Sequence, residues 1–286
     1  TMAPYAHELL PRVPMLVDLV DVDSAKWTQY APAHRWPLSW VYRREGRRLL
    51  AHERDMALAA RRSFLVTPQE VELFVSLAPE CRDRVEAAGN GVDAERFRPD
   101  PALPSPFAAD ERAIVFTGAM DYWPNVDAVV WFATEVLPRI REREPQASFW
   151  IVGRNPTPAV QALAGGAVHV TGTVPQVEPY LQHAGAVVAP LRVARGIQNK
   201  ILEAMAMGQP VITVPSCAEP IGATAEQGLW RCDEAECFAQ GVLAWLADPA
   251  RRERLGAAAR EHVVQNFSWQ ANLDRLAAWL PTTESS

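Results

Sequence analysis

The chain has 286 residues, 28 of them basic and 34 acidic, giving a formal net charge of −6 with 49% apolar and 22% charged residues. This is the composition of a globular protein, not a disordered one. A mildly acidic chain without a basic block argues against nucleic acid as the main partner, because phosphate neutralisation needs clustered positive charge. In chain order, PMLVDLVDV (14–22) reads as a buried strand. The Arg-rich stretch 40–62 carries Leu49, Leu50, Met56, Leu58 and Ala59 at helix-like spacing. SFLVT (63–67) is a short strand. Thr67-Pro68 then opens a helix, with Pro at the first helical position, that ends before Pro79. The proline-rich segment 90–111 has no apolar periodicity and reads as an interdomain linker.

From Arg112 the chain alternates strand and helix. Strands are expected at 113–118, 148–153, 167–172, 186–191, 210–215 and 228–232. Helices are expected at 124–143, 177–184, 199–208, 234–247, 249–265 and 269–280. Pro138 should end or kink the first of these, and Gly208 should cap the third. Short apolar strands alternating with helices specify an α/β fold, a doubly wound parallel sheet covered on both faces. Such sheets bind ligands in the loops at the carboxyl ends of their strands. Here those loops are 118–125, 153–158, 172–175, 192–199 and 215–224.

The sharpest local feature is RVARGIQNKILEAMAMGQPVI (192–212). Ile197, Ile201 and Met205 recur every four residues and should face the core, while Lys200, Glu203 and Met207 form a second stripe pointing away from it. Lys200 sits in the first helical turn, where the dipole disfavours a cation by roughly 0.3–1 kcal/mol. A lysine there makes sense beside a bound anion. Gly196 would let the backbone approach that anion, and free amides at a helix start cradle phosphates. Glu203, one turn deeper, can accept hydrogen bonds from vicinal hydroxyls of a ribose or sugar. Alternatively Lys200 and Glu203 form an exposed ion pair worth about 0.2–0.5 kcal/mol.

FTGAMDYWPNVDAVVWFATEVLP, WIVG, VTGTVPQVEPYLQHAGAVVAPLR and KILEAMAMGQPVI together resemble the C-terminal donor domain of family-4 (group 1) glycosyltransferases of the GT-B fold. NGVD (90–93) resembles the segment before the domain crossover in that family. DLVDVDSAKWTQYA and ARGIQNK narrow the resemblance to bacterial sugar transferases associated with exosortase and exopolysaccharide gene clusters. The resemblance implies a partial N-terminal, acceptor-side Rossmann-like domain over 1–95, a linker over 96–111, a complete nucleotide-sugar donor domain over 112–268, and a helix over 269–286 crossing back. The chain would begin inside the N-terminal domain, so these residues alone would bind donor without turnover.

The resemblance also implies retaining transfer of a sugar from a nucleoside-diphosphate sugar to a glycan or lipid-linked acceptor, without a metal or other cofactor. Of the family's two glutamates, the second matches Glu203. The first falls on Arg195, so Arg195 or the Gly196–Ile197–Gln198 backbone would contact the transferred sugar. Lys200 and Arg195 would be the positive charges nearest the diphosphate, and Gly118, Asn125 and Asn199 would line the substrate. The nucleobase would lie near Arg154 and the Gly172–Val174 turn. Two rival readings keep the fold and change the class: a non-catalytic nucleotide-sugar sensor, and an epimerase or phosphorylase of GT-B architecture.

Other features carry less. Asp18, Asp21 and Asp23 cluster at a strand end, where turn formation and capping account for them better than a metal. His169 reads as a core or edge histidine. No apolar run reaches the roughly 18–20 residues of a membrane-spanning helix, and the first 14 residues lack the features of a signal peptide. Cys81, Cys217, Cys232 and Cys237 have no C-x-x-C spacing, so all four are expected as reduced thiols of a cytoplasmic protein. Trp36 and Trp40 beside the Arg-rich helix could meet anionic lipid headgroups in a peripheral contact with the inner membrane. Glu45, Glu53 and Asp55 favour a solvated face instead. The basic residues are 26 Arg and only two Lys, Lys26 and Lys200. Where a cation must be compact the two are not equivalent, which singles out Lys200.

Overall fold

The computed structural model describes residues 14–194, 196–269, 273 and 276–280. The chain divides into two compact units, residues 1–90 with 270–286, and residues 91–269. In the first unit β1 (Leu16–Val20) leads to α1 (Asp23–Tyr30) and α2 (Leu38–Ala59), then β2 (Arg62–Leu65), α3 (Pro68–Leu77) and β3 (Val85–Ala87). The three strands form a parallel sheet in the order β1-β2-β3. Its core joins Val22, Ala57, Leu65, Phe74, Ala78, Cys81 and Val85. Thr67 caps α3 as its sequence requires, its Oγ1 accepting from Glu70 N at 3.0 Å. The strand expected at 14–22 is shorter than its apolar run, because the chain turns into α1 at Asp23.

In the second unit the elements are β4 (Arg112–Thr117), α4 (Trp123–Trp131), α5 (Leu137–Arg141), β5 (Ala147–Val152), α6 (Pro158–Gln161), β6 (Val168–Gly172), α7 (Glu178–Gln182), β7 (Ala186–Ala189), α8 (Asn199–Ala206), β8 (Val211–Thr213), α9 (Pro215–Ala218), β9 (Leu229–Arg231), α10 (Ala235–Ala247) and α11 (Pro249–Asn266). Six parallel strands lie in the order β6-β5-β4-β7-β8-β9. This is the Rossmann-like, doubly wound sheet expected. The continuous helix expected over 124–143 is interrupted: α4 and α5 are joined by a wide π-helical turn, Phe132–Val136. Pro138 lacks an N–H and would clash with the preceding turn, and the wide turn absorbs this defect.

The proline-rich segment packs onto the second unit through polar contacts. Asp100 N donates to Gln182 Oε1 and Gln182 Nε2 donates to Asp100 O, each at 2.8 Å. Arg260 donates to the carbonyls of Ala94, Phe97 and Ala206. Of the helix expected at 269–280, residues 270–272, 274 and 275 lie outside the described residues; Trp269, Leu273, Leu276 and Ala277 are helical. Cys232 and Cys237 depart from the expectation of free thiols. The end of β9 and the start of α10 bring their Cα atoms to 5.6 Å, and they are joined as a disulfide. Cys81 and Cys217 are free and buried. No helix among the described residues is long and apolar enough to cross a membrane.

Candidate functional site

Strand order locates the site before any side chain is considered. From β4 the chain winds outward through β5 and β6. It then returns to β7 on the other side of β4 and winds outward again through β8 and β9. The carboxyl ends of β4 and β7 therefore flank the switch point, where the two following loops diverge and leave a crevice.

Glycine shapes the crevice. β4 and β5 are each followed by one, Gly118 and Gly153. A Cβ on Gly153 would fall 1.6 Å from the Gly118 carbonyl oxygen, so the two loops can touch only with glycine there. A Cβ on Gly118 would stand 2.9 Å from Lys200 Nζ and 2.8 Å from Asn125 Nδ2. The space it leaves is where the lysine ammonium sits.

Lys200 is the second residue of α8. Its Nζ donates to Asn125 Oδ1 at 2.5 Å and lies 4.3 Å from the centre of the Phe116 ring. Asn125 Nδ2 donates to Ala119 O at 2.8 Å, which fixes the amide with its oxygen toward the lysine. Burial of the ammonium lowers the Lys200 pKa to about 7. Glu203 follows one turn later on the same face. Burial raises its pKa; the charges of Arg96 and Lys200 oppose this and that of Glu178 adds to it. The Glu203 side chain makes no hydrogen bond or ion pair among the described residues. Met207, expected on the same outward stripe, is 2% exposed, because α8 ends there and packs its last turn inward.

The cleft has a volume of about 650 Å³ and is lined by Thr117, Gly118, Ala119, Asn125, Val152, Gly153, Arg154, Thr173, Val174, Val177, Asn199, Lys200 and Glu203. Seven residues singled out in the sequence meet here: Gly118, Asn125, Arg154, Val174, Asn199, Lys200 and Glu203. Gly172, Gly196, Ile197 and Gln198 are not on its wall. Gly172 and Gly196 take left-handed turns, with φ 68° and 66°, at the ends of the flanking loops. Ile197 is buried beneath the loop, and Gln198 precedes the first residue of α8. Arg195 lies outside the described residues.

The sequence reading placed Gly153 at the start of a ligand loop but did not name it as a site residue, although its place directly after a strand, like that of Gly118, was the available signal. It also missed Arg96 and Glu178. Arg96 Nε donates to Glu178 Oε1 at 2.7 Å. Burial pushes Glu178 up, but the Arg96 hydrogen bond, backbone N–H donors and the Arg96 charge outweigh it and hold the carboxyl below its ordinary range. Nothing in the spacing of residues 96 and 178 announces their contact. Arg192, at the start of the loop after β7, is occupied elsewhere. It grips Asp127 through two bonds of 2.6 and 3.1 Å and stacks on Trp131.

Residues 111–248 match the family described as "Glycosyl transferases group 1". Among curated proteins, the chain is 33% identical over 211 residues to a GDP-mannose-dependent alpha-(1-6)-phosphatidylinositol monomannoside mannosyltransferase of Mycobacterium tuberculosis. It is 29% identical to the protein of the same description from Mycolicibacterium smegmatis. Each match covers 66% of this chain and 54% of the relative, so the chain aligns with about half the length of the curated relatives it matches. Among solved structures, HepE of Anabaena in complex with UDP and glucose superposes with TM-score 0.72 at 14% identity, over 95% of this chain and 72% of that one. Sucrose-phosphate synthase of Thermosynechococcus elongatus gives TM-score 0.72 at 20% identity, over 95% and 68%. The fold is of GT-B type, and residues 111–248 are similar in sequence to the group 1 glycosyl transferases.

Proposed function

We propose that the chain is the donor-binding part of a glycosyltransferase that moves a sugar from a nucleoside-diphosphate sugar to a glycan or lipid-linked acceptor in cell-surface polysaccharide synthesis. The observation that carries this reading is the pairing in one cleft of a desolvated ammonium, Lys200, with a carboxylate, Glu203, that has no side-chain partner among the described residues, one helical turn apart beside the start of α8. A nucleoside diphosphate has matching groups: an anionic diphosphate for Lys200 and the first-turn amides, and ribose hydroxyls for Glu203. The curated relatives named above are described as GDP-mannose-dependent, and one structural relative holds UDP, which supports a nucleotide ligand without choosing the base.

In the reaction the bond from the sugar anomeric carbon to the diphosphate oxygen breaks, and the leaving group keeps the electron pair. The acceptor hydroxyl oxygen forms the new bond to that carbon, and its proton leaves with the departing phosphate. Negative charge grows on the diphosphate as this happens. Lys200 and the α8 amides stabilise it more in the transition state than in the ground state. These groups supply the positive charge, and the reading assigns no role to a metal. Retention at the anomeric carbon rests on the family resemblance.

The test is calorimetric titration with UDP, GDP, UDP-sugars and GDP-sugars. One nucleotide series should bind, and Glu203→Ala should weaken the nucleoside diphosphate but not inorganic pyrophosphate. Absence of binding by every member would remove the proposal.

A further inference from the structure

Trp36 is the most exposed large apolar side chain among the described residues, at 81%, and it is followed by Leu38 at 50% and Trp40 at 53%. The three lie at the entry to α2, and neither Trp36 nor Trp40 has an indole hydrogen-bond partner among the described residues. Residues 35–48 carry Arg35, Arg43, Arg44, Arg47 and Arg48 against the single acid Glu45, within a chain of net charge −6. Trp40, Arg43, Arg44 and Arg47 are spaced three and four apart, so they share one helix face. The Arg44 guanidinium lies 5.8 Å from the centre of the Trp40 ring.

Of the acids that argued for a merely solvated face, Glu53 is turned inward, while Glu45 and Asp55 stay accessible but paired with arginines. Glu53 is 5% exposed and turned inward, accepting from Ser24 N at 3.1 Å and Ser24 Oγ at 2.6 Å. Glu45 is held by Arg44 at 2.9 Å. Asp55 pairs with Arg54, four turns along the helix from Trp40. Because α2 is 22 residues long and runs almost directly into the start of β2, its first residues stand about 30 Å from the start of that strand.

We propose that this face seats on an anionic lipid bilayer, with Trp36, Leu38 and Trp40 at headgroup depth and Arg35, Arg43, Arg47 and Arg48 toward the lipid phosphates. Tryptophan suits that layer because its ring is apolar while its N–H needs a polar partner. Arginine suits it because it covers apolar surface with its stem while its charge stays wet. Each such charge strengthens binding to an anionic surface about five-fold. The proposal does not depend on the donor reading, and vesicle binding and nucleotide binding are measured separately.

The experiment is co-sedimentation of the full chain with phosphatidylcholine vesicles, with and without phosphatidylglycerol, at low and high salt. Partition into the anionic vesicles is expected, with little into the neutral ones and a loss at high salt. Arg43→Gln with Arg47→Gln should reduce anionic partition about 25-fold, two charges at about five-fold each. Trp36→Ala with Trp40→Ala should reduce it on the order of ten-fold or more, by loss of buried apolar area. All four positions are exposed, so unchanged melting and circular dichroism will confirm that the variants fold. Three outcomes would each overturn the proposal: no binding to anionic vesicles, equal partition of variants and wild type, or a self-association abolished by the Trp variants without vesicle binding.

Discussion

The carboxyl end of β1, an edge strand, and the carboxyl ends of the central strands β4 and β7 are all strand ends of parallel sheets, yet the protein treats them differently. After β1 the exposed amides find partners within the chain. Val22 N donates to the buried Glu70 at 2.7 Å, and Glu53 takes the N–H and hydroxyl of Ser24 in the first turn of α1. Asp21 and Asp23 close on Lys26 at 2.7 and 3.0 Å; burial works against that lysine's charge, but the two carboxylates outweigh it and raise its pKa. After β4 and β7, by contrast, Lys200 is held by a neutral amide and Glu203 by nothing among the described residues. The first end is self-sealed and the second is left open to a ligand. The two lysines of the chain therefore do opposite things: Lys26 closes a turn, and Lys200 waits in a cleft.

The largest effect should come from closing the open end with a single methyl group. Gly153→Ala places a Cβ 1.6 Å from the Gly118 carbonyl, and neither backbone can yield without disturbing a central strand end. Overpacking of this kind costs about 3 kcal/mol. Urea unfolding should show that loss, and calorimetry should show nucleotide binding lost with it. A variant of wild-type stability would mean that the two loops are less constrained than their contact implies.

Next in size is Lys200→Met, which removes the cation and keeps the stem. Nucleotide affinity should fall on the order of 100-fold, about 3 kcal/mol by analogy with a lost oxyanion donor. The unliganded protein should melt no lower, because a desolvated ammonium is removed. The pH dependence has a definite sign. Unliganded Lys200 titrates at about 7 because burial disfavours its charge. A bound diphosphate favours the charged form and raises that value, so binding takes up a proton above pH 7. Affinity should be flat with respect to this group below pH 7 and should fall about ten-fold per pH unit above it, until the bound-state value is reached. A flat profile from pH 6 to 9 would place the phosphate away from Lys200.

The open end was easier to read in the sequence than the sealed one. Lys200, Glu203, Gly118 and Asn125 lie in or beside strand-end loops, where chain-order reasoning already looks for ligands, and the strand–helix alternation after Arg112 is regular. Glu53 and Glu70 sit among ordinary helical charges, and only the fold turns them inward. α1 was missed because its eight residues bury little beyond Ser24, so no apolar stripe marks it. β3 was missed because three residues cannot show a period. Arg96 and Glu178 are 82 positions apart, a contact that local pattern cannot supply. The Cys232–Cys237 bond eluded the same kind of reading, since the turn between β9 and α10 brings the thiols together at a spacing that no motif records.

The sealed end makes its own prediction. Glu53→Ala leaves the buried N–H and hydroxyl of Ser24 without an acceptor, at a cost of about 2 kcal/mol. Chemical denaturation should register this as a lower midpoint, and nucleotide affinity should be unchanged because the residue serves a different sheet end. A loss of nucleotide affinity at constant stability would break the division between the two ends.

The smallest effect tests whether the open end is entirely without internal help. Arg96 is well exposed, yet it holds Glu178 and its charge reaches Glu203. Among the described residues, the charged groups acting on Glu203 are Arg96, Lys200 and Glu178. Burial favours the protonated form of Glu203, and Arg96 opposes this, so removing Arg96 must raise the Glu203 pKa further. A ribose hydroxyl donates better to the carboxylate than to the acid. Arg96→Gln should therefore move the acid limb of nucleotide binding upward in pH and weaken affinity on that limb. Affinity at pH 8 should be unchanged, and Arg96→Lys should restore most of the shift. A residue that merely packed the segment around 96 would lower affinity equally at both pH values. The position of the acid limb therefore separates an electrostatic role from a structural one.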